Sequence, residues 1–172
     1  MVENAGPGPQ HLMAFGAIIQ WFARYEFLMQ AAMAGILGAD LGSVVVVTAG
    51  LSYNGKRDAL LSLTNLTDLA PEKGRQIKAH LDSMHKHSAL RNAIAHSIWV
   101  PGSRDNAVKP MRIITKGGVG KTIGHDEGET DHTPEELLQA VSEIAVLYRE
   151  FADYLISARI VPDIEQMSSA QG

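Results

Sequence analysis

Between Gln10 and Leu37 the residues Phe15, Ile19, Phe22, Glu26, Met29, Met33 and Leu37 recur at three- and four-residue steps. Such spacing keeps one stripe on a single side of a helix for roughly seven turns, and no strand of ordinary length reproduces it. A second line through Trp21, Tyr25, Leu28 and Ala32 makes the segment apolar over much of its circumference, so a buried helix is expected. Its length raises a membrane alternative. Gln20, Arg24, Glu26 and Gln30 interrupt the run before it reaches the roughly 20 apolar residues a span requires, and no membrane is expected. Glu26 lies on the main stripe. It reads either as an exposed acid pairing with a nearby Lys or Arg, or as an inward carboxylate that neutralises another buried charge.

The rest of the chain follows the same logic. From Lys56 to about Leu69 a helix resumes, with Leu60, Leu61, Leu63 and Leu66 apolar. Pro71 suits the first position of the next helix. That helix is expected to run to about Ile98, because Ile77, Leu81, Met84, Ser88, Arg91, Ala95 and Ile98 alternate four- and three-residue steps. Between Asp40 and Tyr53, the β-branched Val44–Val47 fits a strand, a short helix or an extended connector. Pro101-Gly102 stops helical periodicity, which returns only at Thr133. Met111–Thr115 and Lys121–Gly124 read as two short strands of a hairpin around Lys116-Gly117-Gly118-Val119-Gly120. The last helix opens with Thr133 as N-cap, Pro134 first and Glu136 placed for a capping box, and buries Leu137, Val141, Ile144, Tyr148, Phe151 and Leu155. The expected architecture is all-α: an antiparallel bundle of four to five helices with a small β-hairpin insertion before the last helix. A flexible lead-in over 1–9, one helical domain over 10–160 and a flexible tail over 161–172 complete it.

Charge and composition narrow the function. The net charge of −4 gives no global basic field, and no strong Lys/Arg stripe stands out, so a nucleic-acid role has to rest on a local patch. The absence of cysteine removes disulfides, thiolate metal sites and a Cys nucleophile, and fits a cytoplasmic location.

Three motifs carry chemistry. Lys116 to Thr122, Lys-Gly-Gly-Val-Gly-Lys-Thr, resembles a variant phosphate loop, but a phosphate loop must open a helix whose N-terminus faces the phosphates. Here Ile123-Gly-His-Asp-Glu-Gly-Glu-Thr follows, so a glycine-rich hairpin turn is the better reading and nucleotide binding the weaker one. His80, His85 and His87 are spaced five and two apart, which does not match the three- or four-residue steps of helical metal pairs, so no metal and no cofactor is expected. The third motif is Leu90–Trp99, where Arg91, Asn92 and His96 interrupt an apolar segment opened up by Ala93 and Ala95. Burying such groups is costly unless they are paired or used.

Arg91-Asn92-Ala93-Ile94-Ala95-His96 resembles the signature of the HEPN family, an Arg followed by a polar residue, with four to six residues between the Arg and a His on a late helix of an α-bundle; here the gap is four. The layout of a long first helix, a leucine-bearing helix, the motif helix, a loop excursion and a final amphipathic helix agrees over about residues 10–160. The resemblance implies a metal-independent endoribonuclease of toxin or phage-defence type, working as a homodimer in which two motif helices build one composite site. His96 would be general acid/base, Arg91 would stabilise the phosphorane, and Asn92 would orient His96 or contact phosphate, with Glu26 in a supporting role. RNA is then the substrate and an antitoxin or other protein the partner. Arg91 and His96 lie about 140° apart around the helix, which a second chain would help to reconcile. The bland alternative is a non-catalytic helical module for dimerisation or for binding RNA or protein.

Overall fold

The computed structural model describes residues 6–116, 119–123 and 131–161, with the side chains of 112–123 left aside. The expected flexible ends therefore fall in part outside the described residues, as do the hairpin tip at Gly117-Gly118 and the acidic segment 124–130. The chain is mostly helical, with an antiparallel β-hairpin before the last helix. Six helices are present among the described residues: α1 (Pro9–Leu37), α2 (Leu41–Thr48), α3 (Tyr53–Leu66), α4 (Pro71–His85), α5 (Ser88–His96) and α6 (Pro134–Ser157). No helix among those residues is long and apolar enough to cross a membrane.

Two departures from expectation account for the higher helix count. Val44–Val47 is helical, as part of α2: the Asp40 carboxylate accepts from the Ser43 N–H at 2.8 Å, and this N-cap fixes a start that the β-branched run obscures. The helix from Pro71 does not reach Ile98. It ends at His85, turns through Lys86 and His87, and resumes as α5. His85, Lys86, His87 and Ser88 are four consecutive polar residues, so no apolar side chain holds that turn in a helix. At the other end Ser97 is extended and β1 (Ile98–Pro101) begins, because Ile98 and Val100 favour strands and Pro101 disfavours helix in the residue before it.

The strands form a sheet of order β1-β2-β3, with β2 at Val108–Lys116 and β3 at Val119–Ile123. The hairpin is longer than expected at its root and has gained a third strand. Ile98 pairs with Met111 and Pro101 with Val108. Farther along, Arg112 pairs with Ile123, Ile114 with Lys121 and Lys116 with Val119.

The chain divides into two compact units, each assembled from two separate stretches: Met1–Phe22 with Lys86–Ile144, and Ala23–His85 with Ala145–Gly172. In the first unit Ala14, Ile18, Ala93, Trp99, Val108, Leu137 and Ile144 are buried, and the Trp99 ring lies 4.5 Å from that of Phe15. The loop after β1 is locked by Asp131, whose carboxylate accepts from the Ser103 hydroxyl at 2.6 Å and from the Arg104 N–H at 3.1 Å. The capping box at α6 is present: the Thr133 N–H donates to Glu136 at 2.9 Å and the Glu136 N–H to the Thr133 hydroxyl at 3.4 Å.

Glu136 also takes the Arg104 guanidinium at 2.8 and 2.7 Å. These bonds, with the one from Thr133, lower its pKa from 4.5 to about 2. A depressed carboxylate adds stability that is fully present above its unfolded value and is lost as pH falls through the folded one. Urea midpoints should therefore decline between about pH 4.5 and 2, and Arg104→Gln should flatten that limb. Both partners are nearly half exposed, so the effect is small. An unchanged acid limb in the variant would remove the pair as its cause.

In the second unit Tyr25 is fully buried and its ring stacks 5.1 Å from Phe151. Burial pushes its hydroxyl far above the ordinary tyrosine range. His80 packs 5.4 Å from Phe151 and 5.3 Å from Tyr154. Gln30 donates to the Thr48 hydroxyl at 2.7 Å, tying α1 to α2. Arg57 donates to Asp82 at 2.6 Å, tying α3 to α4. After α6 the chain turns through Arg159, at a positive φ of 54°, and seats Ile160 and Val161 in the core.

Candidate active site on α5

The nine residues of α5 place their polar groups by phase. Ser88 and Ala93 face inward, Arg91 and Asn92 are half-buried, and Ala95 and His96 are exposed. The inward line expected through Arg91 to Ala95 and Ile98 thus leaves the interior after Arg91, since Ala95 and Ile98 are exposed. Helix α5 starts its own phase at Ser88 and the chain becomes a strand at Ile98, so the longer periodicity has nothing to propagate it.

Arg91 and Asn92 meet directly. The guanidinium donates to the Asn92 side-chain oxygen at 3.2 Å, which orients the planar fork and leaves the Asn92 amide nitrogen free of that bond. His96 occupies the last turn of α5, one residue before the backbone becomes extended. Its position is set by the clamp on the turn beneath it. The Ala93 carbonyl accepts from the Ser97 N–H at 3.0 Å and from the Trp99 indole N–H at 3.3 Å. Trp99 is in turn held between Phe15 and His132, whose rings lie 4.5 and 5.9 Å from it. The end of the helix is therefore anchored by a buried indole while its last imidazole is presented to solvent.

Of the residues expected to form a site, Arg91 and Asn92 are brought together and His96 shares their helix on a different face. Glu26 belongs to the second unit, where its carboxylate accepts from the Lys56 ammonium at 2.6 Å. Both side chains are largely shielded, at 15% and 10% exposure, so Glu26 is the inward carboxylate of the two readings. Lys56 was not anticipated. The available signal was the Lys56-Arg57 pair of cations in the first turns of an otherwise leucine-rich helix.

The remaining histidines do not converge. His85 stacks 6.3 Å from Tyr53, and His87 lies 3.8 Å from Glu143, with burial lowering its pKa. No group of three or more His, Cys, Asp or Glu side chains is gathered for a metal among the described residues. The phosphate-loop resemblance at Lys116–Thr122 meets a direct obstacle: Lys116 ends β2, and Lys121 and Thr122 lie within β3 rather than at the start of a helix.

No protein-family model matches this sequence, and neither a curated protein nor a solved structure matches it. The geometry of α5 therefore has to carry the functional argument.

Proposed function

We propose that the protein is a HEPN-like, metal-independent endoribonuclease that acts as a cytoplasmic homodimer. The observation that carries this reading is the pairing on one short helix of an Asn-oriented guanidinium with a solvent-presented imidazole at its end. A guanidinium fork matches the oxygens of a phosphate, and an imidazole can move protons near neutral pH. Arg91 and His96 point to different faces of α5, so two copies of the helix supply what one does not. In the dimer one His96 removes the proton from a ribose 2′-hydroxyl, which attacks the adjacent phosphorus. The other His96 protonates the departing 5′-oxygen. The Arg91 guanidinium neutralises charge on the pentacoordinate phosphorus, and Asn92 holds that guanidinium in register. The products are a 2′,3′-cyclic phosphate and a 5′-hydroxyl. Because the nucleophile belongs to the RNA, the sequence of steps requires no metal ion. A toxin or defence role, held in check by an antitoxin or another protein partner, suits such an activity.

The test is incubation of the purified chain with single-stranded RNAs in EDTA, with the product ends analysed. Fragments ending in 2′,3′-cyclic phosphate are expected. If none of a range of RNAs is cut, the chain is instead a non-catalytic helical module that uses the same bundle for dimerisation or binding.

A further inference from the structure

The longest helix carries a second heptad line, distinct from the stripe that builds its core. Pro9, Met13, Gly16, Gln20, Ala23 and Phe27 alternate four- and three-residue steps along α1, and all six are exposed. Met13 keeps 60% of its surface open to solvent and Phe27 52%, with Leu12 beside them at 57%. None of the six is charged. The next two positions of the same line, Gln30 and Ala34, are buried, and Gln30 donates to the Thr48 hydroxyl of α2 at 2.7 Å. One seam therefore receives a helix at its C-terminal end and stays open from Pro9 to Phe27, about 27 Å at the usual helical rise.

The glycine in that seam points to what covers the open part. Inside a helix Gly16 is less favourable than alanine, and an added Cβ there would meet nothing within 4 Å of its own chain. The packing of the chain itself gives no reason for it, unlike Gly35 of the same helix, against which the Ile160 backbone lies. A glycine on an open helix face lets another backbone come close. The seam also reads alike from both ends. About a point between Ile19 and Gln20, Gly16 reflects onto Ala23, and Phe27 onto Leu12 beside Met13. In an antiparallel pair of α1 helices, each Phe27 enters the hole between Pro9, Leu12, Met13 and Gly16 of the partner subunit, the four-residue diamond that accepts a knob. Met13 enters the reciprocal hole around Ala23 and Phe27, and Gly16 faces Ala23. The two Gln20 amides meet at the two-fold axis, where each donates to the other and accepts from it.

We propose that this seam is the homodimer interface, with a second copy of the chain laid antiparallel along α1 from Pro9 to Phe27. A surface that repeats under a two-fold rotation fits another copy of itself better than it fits an unrelated helix. The helix is already held by its own core, so pairing does not carry the cost of forming it. Gln20, which breaks the apolar run, then fixes the register, as a lone polar group does in a coiled coil. The inference supplies the dimer that the ribonuclease reading needs, yet it stands on α1 alone.

The chain has no cysteine, so single introduced thiols report the register directly. Sedimentation of the full chain at concentrations up to about 0.1 mM is expected to show the mass of two chains. Under mild oxidation Gln20→Cys should link into a covalent dimer, because its two copies meet at the axis. Met13→Cys should not, since its copies lie about 20 Å apart along the pair, beyond the reach of a disulfide. The double variant Met13→Cys, Phe27→Cys should link again. Gly16→Leu, whose first added carbon meets nothing in its own chain, should keep its circular dichroism spectrum. Its dissociation constant should rise by about tenfold or more, and Phe27→Lys should have the same effect. A monomeric wild type overturns the proposal. So does a dimer that Gly16→Leu leaves intact, or one that Met13→Cys links as readily as Gln20→Cys. If the wild type cuts RNA while Gly16→Leu remains a dimer, the seam is wrong and the ribonuclease reading survives. A monomeric Gly16→Leu protein that cuts RNA at the wild-type rate keeps the seam and removes the composite site.

Discussion

In EDTA, His96→Ala is expected to cleave single-stranded RNA about 10²- to 10⁴-fold more slowly than the wild type, the range a positioned acid/base contributes. The loss should fall on kcat rather than KM, because in the proposed mechanism the exposed imidazole at the end of α5 would move protons and would not anchor the strand. Arg91→Lys is a sharper probe than removal. It keeps the charge but not the fork that Asn92 orients at 3.2 Å, so a fall of about a hundredfold, comparable to deleting one preorganised donor, is expected. Equal cleavage by wild type and His96→Ala would assign any activity to a contaminant or another site. The far-UV spectrum should be unchanged in both variants, since His96 is exposed and Arg91 only half-buried.

The largest expected effect on stability comes from Gly35→Ala. Within a helix this exchange ordinarily stabilises by about 1 kcal/mol, because alanine restricts the unfolded chain and favours helix. At Gly35 an added Cβ would run into the Ile160 carbonyl oxygen and stand 2.8 Å from its carbon. Both are backbone atoms, so no rotamer relieves the clash. Ile160 is fixed in turn, its N–H donating to Leu155 at 2.9 Å and its side chain buried. Overpacking of this kind costs typically about 1–3 kcal/mol and more when nothing yields, so a net loss of about 2 kcal/mol or more is expected despite the helix gain. Urea titration decides the sign. A midpoint raised above wild type would mean that the turn after α6 does not rest against α1 at Gly35.

What was readable from residues alone divides along the length of each element. Long periodic helices declared themselves: α1 and α6 lie where their apolar steps placed them, α3 lies three residues earlier at each end than expected because the Ser52 N-cap starts it at Tyr53, and the Thr133–Glu136 capping box formed as spelled. Short elements did not. Val44–Val47 spans too few residues to show a helical period, so the decisive signal was the single Asp40 cap. The break at Lys86–His87 was hidden because Met84, Ser88 and Arg91 keep helical spacing across it without a glycine or proline. Strand β1 was hidden in turn by the helix assumed to run over it. In the site, the choice of Arg91, Asn92 and His96 came from a pattern of residue types, but their exposure did not. That depends on where α5 begins and ends. The salt bridge of Glu26 with Lys56 joins residues thirty positions apart and lay beyond any local pattern.

The way the two units share the chain bears on its synthesis. Each unit draws on an early stretch and a late one, and α6 supplies residues to both, with Ile144 closing one core and Phe151 and Leu155 the other. A ribosome that has released everything up to Thr133 has therefore exposed most of the apolar surface of both units without completing either. Neither core is complete until α6 has been made. The α5 segment, which belongs to the first of these units, therefore has a complete core behind it only after α6 has been made.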